Sequence, residues 1–526
     1  LTFFLPANAD PGVTEGRFVM SESPAQSVSE TTLPSSSDVA GPLPARPSIT
    51  KLRKLAKERL VQLRAVDPAA TLAAAHLAIA RECGFASWRA LADEAGKAEY
   101  ERFRAAMERE DVDAVRRALT HSGYVRRKIN DPIAGFGGRP VHRAAKNVEL
   151  MNVLLEFGAD INLRTAWEKG PFSVLDYSPE EATRHYLKKG AILTAHAAAR
   201  LGWIDDLRRM IKADPKVVHE KGGDGQRPLH FAKTTAIADL LLDSGADIDA
   251  RCDDHHSTAA QYRLVDEPEV TRHLLKRGAT PDIFMAARLD DRDLAATLIA
   301  EDPACLMARI NAPGYAPVPP FNIYNWTLNW YLSPHEVALR FEHQEMYRLL
   351  WEASSPTTRL LVACSQADEA AARQVLSEHP YVVKNLKAKD QALLAFSMFY
   401  NRPGAVRLMM ALGFDPMARG VDGGPLLHAA AWHGQAEIIA TLLREQRERL
   451  DLTVTDATYH GTALDWAMHG SVQSWVKGGD HAAVVEQLIA AGIALPEKIH
   501  TGSAAVRAVL RGHGVAEAKA SSETRA

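Results

Sequence analysis

The sequence repeats itself, and that repeat narrows the folds open to it. Gly158-Ala159-Asp160 returns as Gly245-Ala246-Asp247, with shorter copies at Gly190-Ala191 and Gly278-Ala279. The steps 190 − 158 = 32 and 278 − 245 = 33 set a unit of about 33 residues. Each triplet follows a leucine-rich stretch: Val153-Leu154-Leu155, Leu240-Leu241-Leu242 or His273-Leu274-Leu275. A glycine there supplies the left-handed residue that ends a helix. Upstream stand Arg139-Pro140-Val141-His142, Arg227-Pro228-Leu229-His230 and Pro425-Leu426-Leu427-His428, each opening an alanine-rich run. Proline suits the first turn of a helix, where its missing N–H has no partner to lose. A helical unit this small cannot cover its own apolar face, so such units stack.

A longer period lies above the first. Ala198-Ala199-Arg200 leads to Asp214-Pro215, and Ala286-Ala287-Arg288 leads to Asp302-Pro303. The differences 278 − 190, 288 − 200 and 303 − 215 are all 88. Ala363-Cys364-Ser365 with His379-Pro380 is a third copy, at 380 − 303 = 77. Units therefore alternate. One type ends in Gly-Ala and joins the next helix at once, and the other ends in Asp-Pro and carries a longer finger. Ser178-Pro179-Glu180-Glu181 and Ser333-Pro334-His335-Glu336 read as capping boxes. The helix pattern recurs to Ala491-Gly492, giving about eleven or twelve units.

These motifs resemble the ankyrin-repeat family, whose pattern is T-P-L-H, two antiparallel helices, then G-A-D and a hairpin finger. The resemblance covers roughly 100–500. Arg139, Arg227 and Gly424 or Pro425 stand where the family usually has threonine, so the repeats are degenerate. The resemblance implies an all-α dominated fold, an ankyrin-type helix-pair solenoid with short hairpin fingers and an N-terminal helical cap. It also implies a non-enzymatic scaffold that binds protein or peptide through its concave helix face and fingers. The motif itself carries no chemistry.

The expected domains are a disordered leader at 1–47, a helical cap at 48–98, the repeat solenoid at 99–500, and a terminal helix with a disordered tail at 501–526. From Asp10 to Pro47 the composition is dominated by Pro, Ser, Thr, Gly and Ala, with almost no periodic apolar residues. The chain opens on Leu1, and Met20 is a candidate start. Within 48–98, Leu52, Leu55, Ala56, Leu60 and Leu63 form one apolar stripe beside Lys51, Arg53, Lys54, Lys57, Arg59 and Arg64. Gly84-Phe85-Ala86-Ser87-Trp88 resembles a turn that precedes ankyrin arrays in bacterial proteins. The basic residues read as the solvated face of an end cap. A nucleic-acid adaptor is the alternative, weakened because no aromatics interleave with the charges. A net charge of −3 argues against a whole-chain polyelectrolyte partner. Cys83, Cys252, Cys305 and Cys364 form no Cys-x-x-Cys pair, which points to a reducing compartment, the cytoplasm. No membrane span, cofactor or metal is expected, and the chain is expected to be a monomer.

Two clusters could carry chemistry. Cys252-Asp253-Asp254-His255-His256 is dense in ligand types, but neighbouring finger residues point in different directions, so convergence on one metal is not expected. His428, His433, Asp465 and His469, beside Trp432 and Trp466, are the candidate pocket of an enzyme or small-molecule sensor, the main alternative function. The histidines also fit structural places in the repeat. No phosphate-binding glycine loop and no G-x-S-x-G elbow is present. Met398, Phe399, Tyr400, Met409 and Met410 read as core.

One finger departs from the pattern. Pro215 to Pro228 is 13 residues and Pro303 to Pro334 is 31, so 18 are inserted. Asn311 to Leu332 contains no Asp, Glu, Lys or Arg, but six aromatics: Tyr315, Phe321, Tyr324, Trp326, Trp330 and Tyr331. From Tyr324 the alternation is strand-like, with Tyr324, Trp326, Leu328 and Trp330 on one face. This predicts an extended finger, either a flap packed on the chain itself or a partner-binding face. The expected partner contacts are Phe321, Tyr324, Trp326, Trp330, Tyr331, Trp432 and Trp466. Exposure of Trp326 and Trp330 decides between the two readings.

Overall fold

A computed structural model describes residues 49–312, 315 and 322–518. The leader at 1–47 and the last eight residues of the tail lie outside the described residues. The fold is mostly helical. The strands among the described residues are the two-residue pair Lys498–Ile499 and Ala516–Glu517. The chain divides into two compact units, one running to residue 263 and including 267–279, the other comprising 264–266 and 280 onward.

The 88-residue period reappears as structure. In the first unit, helices Ala195–Leu201 and Ile204–Ala213 lead into the 3-10 turn Pro215–His219. In the second, Ile283–Leu289 and Arg292–Glu301 lead into Pro303–Met307. The Asp-Pro pair explains the turn. Asp214 accepts the Lys216 N–H at 3.0 Å and Asp302 accepts the Ala304 N–H at 2.9 Å, each capping the turn that its proline begins. The Gly-Ala endings are equally regular. Gly158, Gly190, Gly245 and Gly278 have φ between 93° and 100°. The alanine after each donates to the carbonyl five residues back at 3.0 Å, on Leu154, Tyr186, Leu241 and Leu274. This hydrogen bond is the left-handed helix ending expected from the sequence.

Fingers are tight turns rather than paired strands. Gly222 donates to Gln226 O at 2.8 Å, Cys252 to Ser257 O at 3.0 Å, and Asp456 to Gly461 O at 2.9 Å. Neighbouring fingers are joined by backbone bonds. Asp224 N donates to Gly170 O at 3.2 Å and Asp253 N to Asp224 O at 2.8 Å in the first unit, as Ala457 N does to Asp422 O at 2.8 Å in the second.

Several expectations need correction. Ser178 does not cap its helix, because its hydroxyl donates to Val174 O at 2.6 Å and the helix begins at Glu180. Ser333 and Glu336 do form the expected capping box. In helix Ile49–Val66, Leu52 and Ala56 reach the core made with Ile79, Ala80, Leu91 and Ala95, whereas Leu55 packs half-buried at its margin and Leu60 and Leu63 are only half-buried. Trp88 is half-buried and stacks on His76 at 4.0 Å. The helix it opens runs to Glu108, across the expected boundary at 98, and buries Phe103, Ala106 and Met107 with Val115 and Leu119. At the other end, Val506 and Leu510 of helix Ala504–Gly512 are buried. Residues 512–518, expected to be disordered, are ordered there: Val515 is buried and Ala516–Glu517 pairs with Lys498–Ile499.

Candidate functional site

The aromatic insert is not a strand. Asn322 Oδ1 accepts the Tyr324 N–H at 2.9 Å, Tyr324–Thr327 forms a helical turn, and Leu328 N closes on Tyr324 O at 2.8 Å. Asn329 and Tyr331 then take positive φ values of 86° and 64°, which breaks any alternation. The neck of the insert is closed by Ile310 N to Leu332 O at 3.0 Å and Tyr331 N to Ile310 O at 2.9 Å. Phe321, with the four prolines at 313, 317, 319 and 320, lies outside the described residues.

The helical turn sorts the rings onto different sides. Tyr324 is fully buried against Phe284, with ring centroids 5.7 Å apart, and its hydroxyl donates to Asp282 Oδ2 at 2.8 Å. Tyr331 is buried and stacks on Phe396 at 4.1 Å. Tyr315 is buried and donates to Asp390 Oδ1 at 2.8 Å. Trp326 faces out, 52% exposed. Trp330, half-buried, meets it edge to face at 6.1 Å and lies over Tyr400 at 6.2 Å. The expectation of one shared aromatic face fails, because a period near 3.6 puts Tyr324 and Leu328 inside and Trp326 outside.

Beneath the insert lies a charge network that sequence reading missed. Arg309 and Glu336 are both about 3% exposed and bond at 3.1 Å, and Arg402 reaches the other carboxylate oxygen at 2.7 Å. Ser333 N and Oγ each donate to Glu336 at 2.9 Å. Burial pushes the Glu336 carboxyl up, but Arg402, Arg309 and Ser333 outweigh it and hold the group below its ordinary value. Only the capping role of Glu336 is visible in the sequence, because the arginines lie 27 and 66 residues away.

The late histidine cluster does not assemble into a pocket. Asp465 is exposed and caps its own helix, accepting from Thr462 N and Oγ1 at 2.8 Å. His469 is exposed and stacks on Trp432 at 5.5 Å. His433 is buried between Phe399 O at 2.7 Å and Ser474 Oγ at 2.8 Å, and burial lowers it to about 4. Trp466 is buried and donates to Asp456 Oδ2 at 2.9 Å. Trp432 is half-buried. Asp456, not singled out by sequence, holds that finger together by also accepting from Thr458 N and Gly461 N at 2.9 Å.

The Cys252–His256 run separates as expected, with one surprise. Cys252 Sγ turns inward to Tyr262 OH at 3.4 Å, and Asp253 pairs with Lys221 at 2.8 Å. Asp254 and His255 instead meet Asp224 of the preceding finger. His255 Nδ1 lies 3.5 Å from Asp254 and 3.9 Å from Asp224, and donor atoms of all three fall within 4.8 Å of one another. Trp167 Nε1 donates to the other Asp224 oxygen at 2.9 Å. Burial, then Asp254, raises the Asp224 carboxyl to about 7, and burial lowers His255. The sequence gives no sign of Asp224, since its partners lie 30 residues downstream on another turn.

Between these fingers sits the unit that decides the comparison. His230 is buried, accepts the Arg227 N–H at 3.1 Å on Nδ1 and donates from Nε2 to Ser257 O at 3.1 Å, tying its helix to the next finger. Residues 224–253 match the family model for the ankyrin repeat. The chain carries an ankyrin repeat. No curated protein matches the chain. Elsewhere the same histidine tie recurs: His142 accepts from Arg139 N at 3.2 Å and reaches Phe172 O at 3.2 Å. His428 reaches Gly461 O at 3.3 Å, but its Nδ1 has no hydrogen-bond partner among the described residues, because Pro425 has no N–H to give. Where the family usually has threonine, Arg139 Nε donates to Arg164 O at 2.9 Å and Arg227 Nη1 to Arg251 O at 3.0 Å. The arginines therefore reach the following finger themselves. No helix among the described residues is long and apolar enough to cross a membrane.

Proposed function

We propose that the chain is a non-enzymatic interaction scaffold, an array of degenerate ankyrin-type helix pairs. In this reading it engages a protein or peptide through first helices and fingers, and the Trp326–Trp330 edge is the principal contact of the second unit. The supporting observation is the exposure of Trp326 on a turn whose other rings, Tyr324 and Tyr331, are fixed inside. A large apolar ring held out on an anchored turn is the form that a binding anchor takes. Tyr324, Tyr331 and Trp466 then act as supports, because burial withholds them from a partner. The enzyme reading gains nothing from the cluster of His428, His433, Asp465 and His469, in which two histidines are spent on internal hydrogen bonds and two side chains spread into solvent.

The test is Trp326→Ala in the full chain, with partner capture and a thermal melt measured side by side. The expected result is a set of captured proteins that loses its main member while the melting temperature moves by no more than about 2 °C, as for a surface change. Capture identical to that of the unaltered chain, or a large drop in melting temperature, would overturn the assignment.

A further inference from the structure

Asp224 and Asp254 face one another across two neighbouring fingers of the first unit. Their side chains are 16% and 30% exposed, and that of His255 is 15% exposed. Neither carboxylate has a lysine or arginine bridge among the described residues. Lys221, three residues before Asp224, is committed to Asp253 through both carboxylate oxygens, at 2.8 and 2.9 Å. Two partly buried carboxyl groups and an imidazole thus bring three donor atoms within 4.8 Å of one another, with no lysine or arginine bridged to either carboxyl group among the described residues.

The fold does not require that charge. The finger at 456–461 has the same construction 204 residues later: 456 − 252, 457 − 253 and 460 − 256 agree. Cys252 N to Ser257 O corresponds to Asp456 N to Gly461 O, and Asp253 N to Asp224 O corresponds to Ala457 N to Asp422 O. His256 and His460 share positive φ values of 49° and 57°. In that later finger Thr458 stands where Asp254 stands, and Tyr459, 63% exposed, stands where His255 stands. Thr458 Oγ1 simply donates to Asp422 Oδ1 at 3.3 Å. One finger pair is joined by a neutral hydroxyl. The other brings an imidazole and two carboxylates to the same place.

We propose that Asp224, Asp254 and His255 bind a first-row divalent cation of the zinc class and that this ion clamps the two fingers together. One imidazole nitrogen with two carboxylate oxygens is a borderline donor set, which suits zinc better than the all-oxygen shells preferred by magnesium and calcium. An ion about 2.1 Å from each donor needs donor separations of roughly 3.4 Å. The distances of 3.5 and 3.9 Å from His255 Nδ1 need only small side-chain rotations to reach that value. Tyr262 OH, now 3.2 Å from the same nitrogen, has Cys252 Sγ at 3.4 Å as its alternative partner. Trp167 Nε1 on the far oxygen of Asp224 orients that carboxylate from outside. Three protein donors leave the remaining coordination positions to water or to a partner's side chain.

The experiment is calorimetric titration of the metal-stripped full chain with zinc chloride, repeated with magnesium chloride, on the unaltered protein, Asp254→Thr and Asp224→Asn. Asp254→Thr copies the later finger and removes a like charge, so it should fold and melt no lower than the unaltered chain without metal. The unaltered chain is expected to bind one more zinc equivalent than either variant, to show a zinc-dependent rise in melting temperature that both variants lack, and to bind magnesium at least tenfold more weakly. Equal zinc stoichiometry in all three proteins would place binding on histidines elsewhere and overturn the proposal. So would an unaltered chain that binds no zinc. Should Asp254→Thr unfold, Asp224→Asn alone decides, since its amide can still accept from Trp167.

Discussion

Replacing His230 by leucine should cost more than the same change at His428. The reason is a missing N–H. His230 makes two hydrogen bonds, from Arg227 N and to Ser257 O, at 3.1 Å each. Leucine leaves both backbone groups without partners, at about 1–3 kcal/mol each, or roughly 2–6 kcal/mol together. His428 makes the bond to Gly461 O, and its Nδ1 is buried without a hydrogen-bond partner among the described residues, opposite Pro425. Leucine there removes one bond and also one unsatisfied nitrogen, so the net cost should be about 1–2 kcal/mol. The two sites lie in different compact units. The assay is therefore native-state hydrogen exchange of the amides around each site, Cys252 to Ser257 and Asp456 to Gly461, in each variant and in the unaltered chain. The opening free energy of the first finger should fall at least 1 kcal/mol further than that of the second. Equal losses, or a larger loss at His428, would show that the histidine ties do not carry the stability assigned to them.

Other outcomes follow from buried charge. Burial holds His142, His230, His335 and His433 at about 4, below the ordinary 6.5. A histidine lowered in the folded state binds its proton first in the unfolded chain, so its contribution is intact above pH 6.5 and is lost as pH falls from there towards 4. At pH 5 each should have surrendered about 2 kcal/mol, and melts at pH 7.5 and 5 should show both units destabilised; a flat profile between them would contradict the buried neutral state. Glu336→Gln should destabilise the second unit by about 3 kcal/mol, since it leaves Arg309 buried with its charge uncompensated. Denaturant unfolding reads this directly, and a neutral result would mean that water reaches the arginine.

What the sequence made legible was whatever a local backbone rule requires. A helix end that needs a left-handed residue shows itself as Gly158, Gly190, Gly245 and Gly278, and a turn opened by Asp-Pro shows itself at 214–215 and 302–303. The insert was misread because Tyr324, Trp326, Leu328 and Trp330 satisfy a two-residue period, while the pair that is buried together, Tyr324 and Leu328, also satisfies a four-residue one. Over so short a run periodicity cannot separate a strand from a helical turn. Asn322, which starts the helical turn, was the available clue. Asp224 and Glu336 were out of reach for another reason. Their partners lie 27 or more residues away on other elements, and no local spacing rule announces which of those side chains will meet.

The claim that the chain works as a binding scaffold is tested most directly by hydrogen exchange of the full-length protein, alone and saturated with the partner it captures. Binding through the anchored turn predicts slowed exchange across 322–332 and in the first helices and fingers beside it, with the second helices unchanged. Slowed exchange confined to the second helices, with 322–332 untouched, would contradict the account.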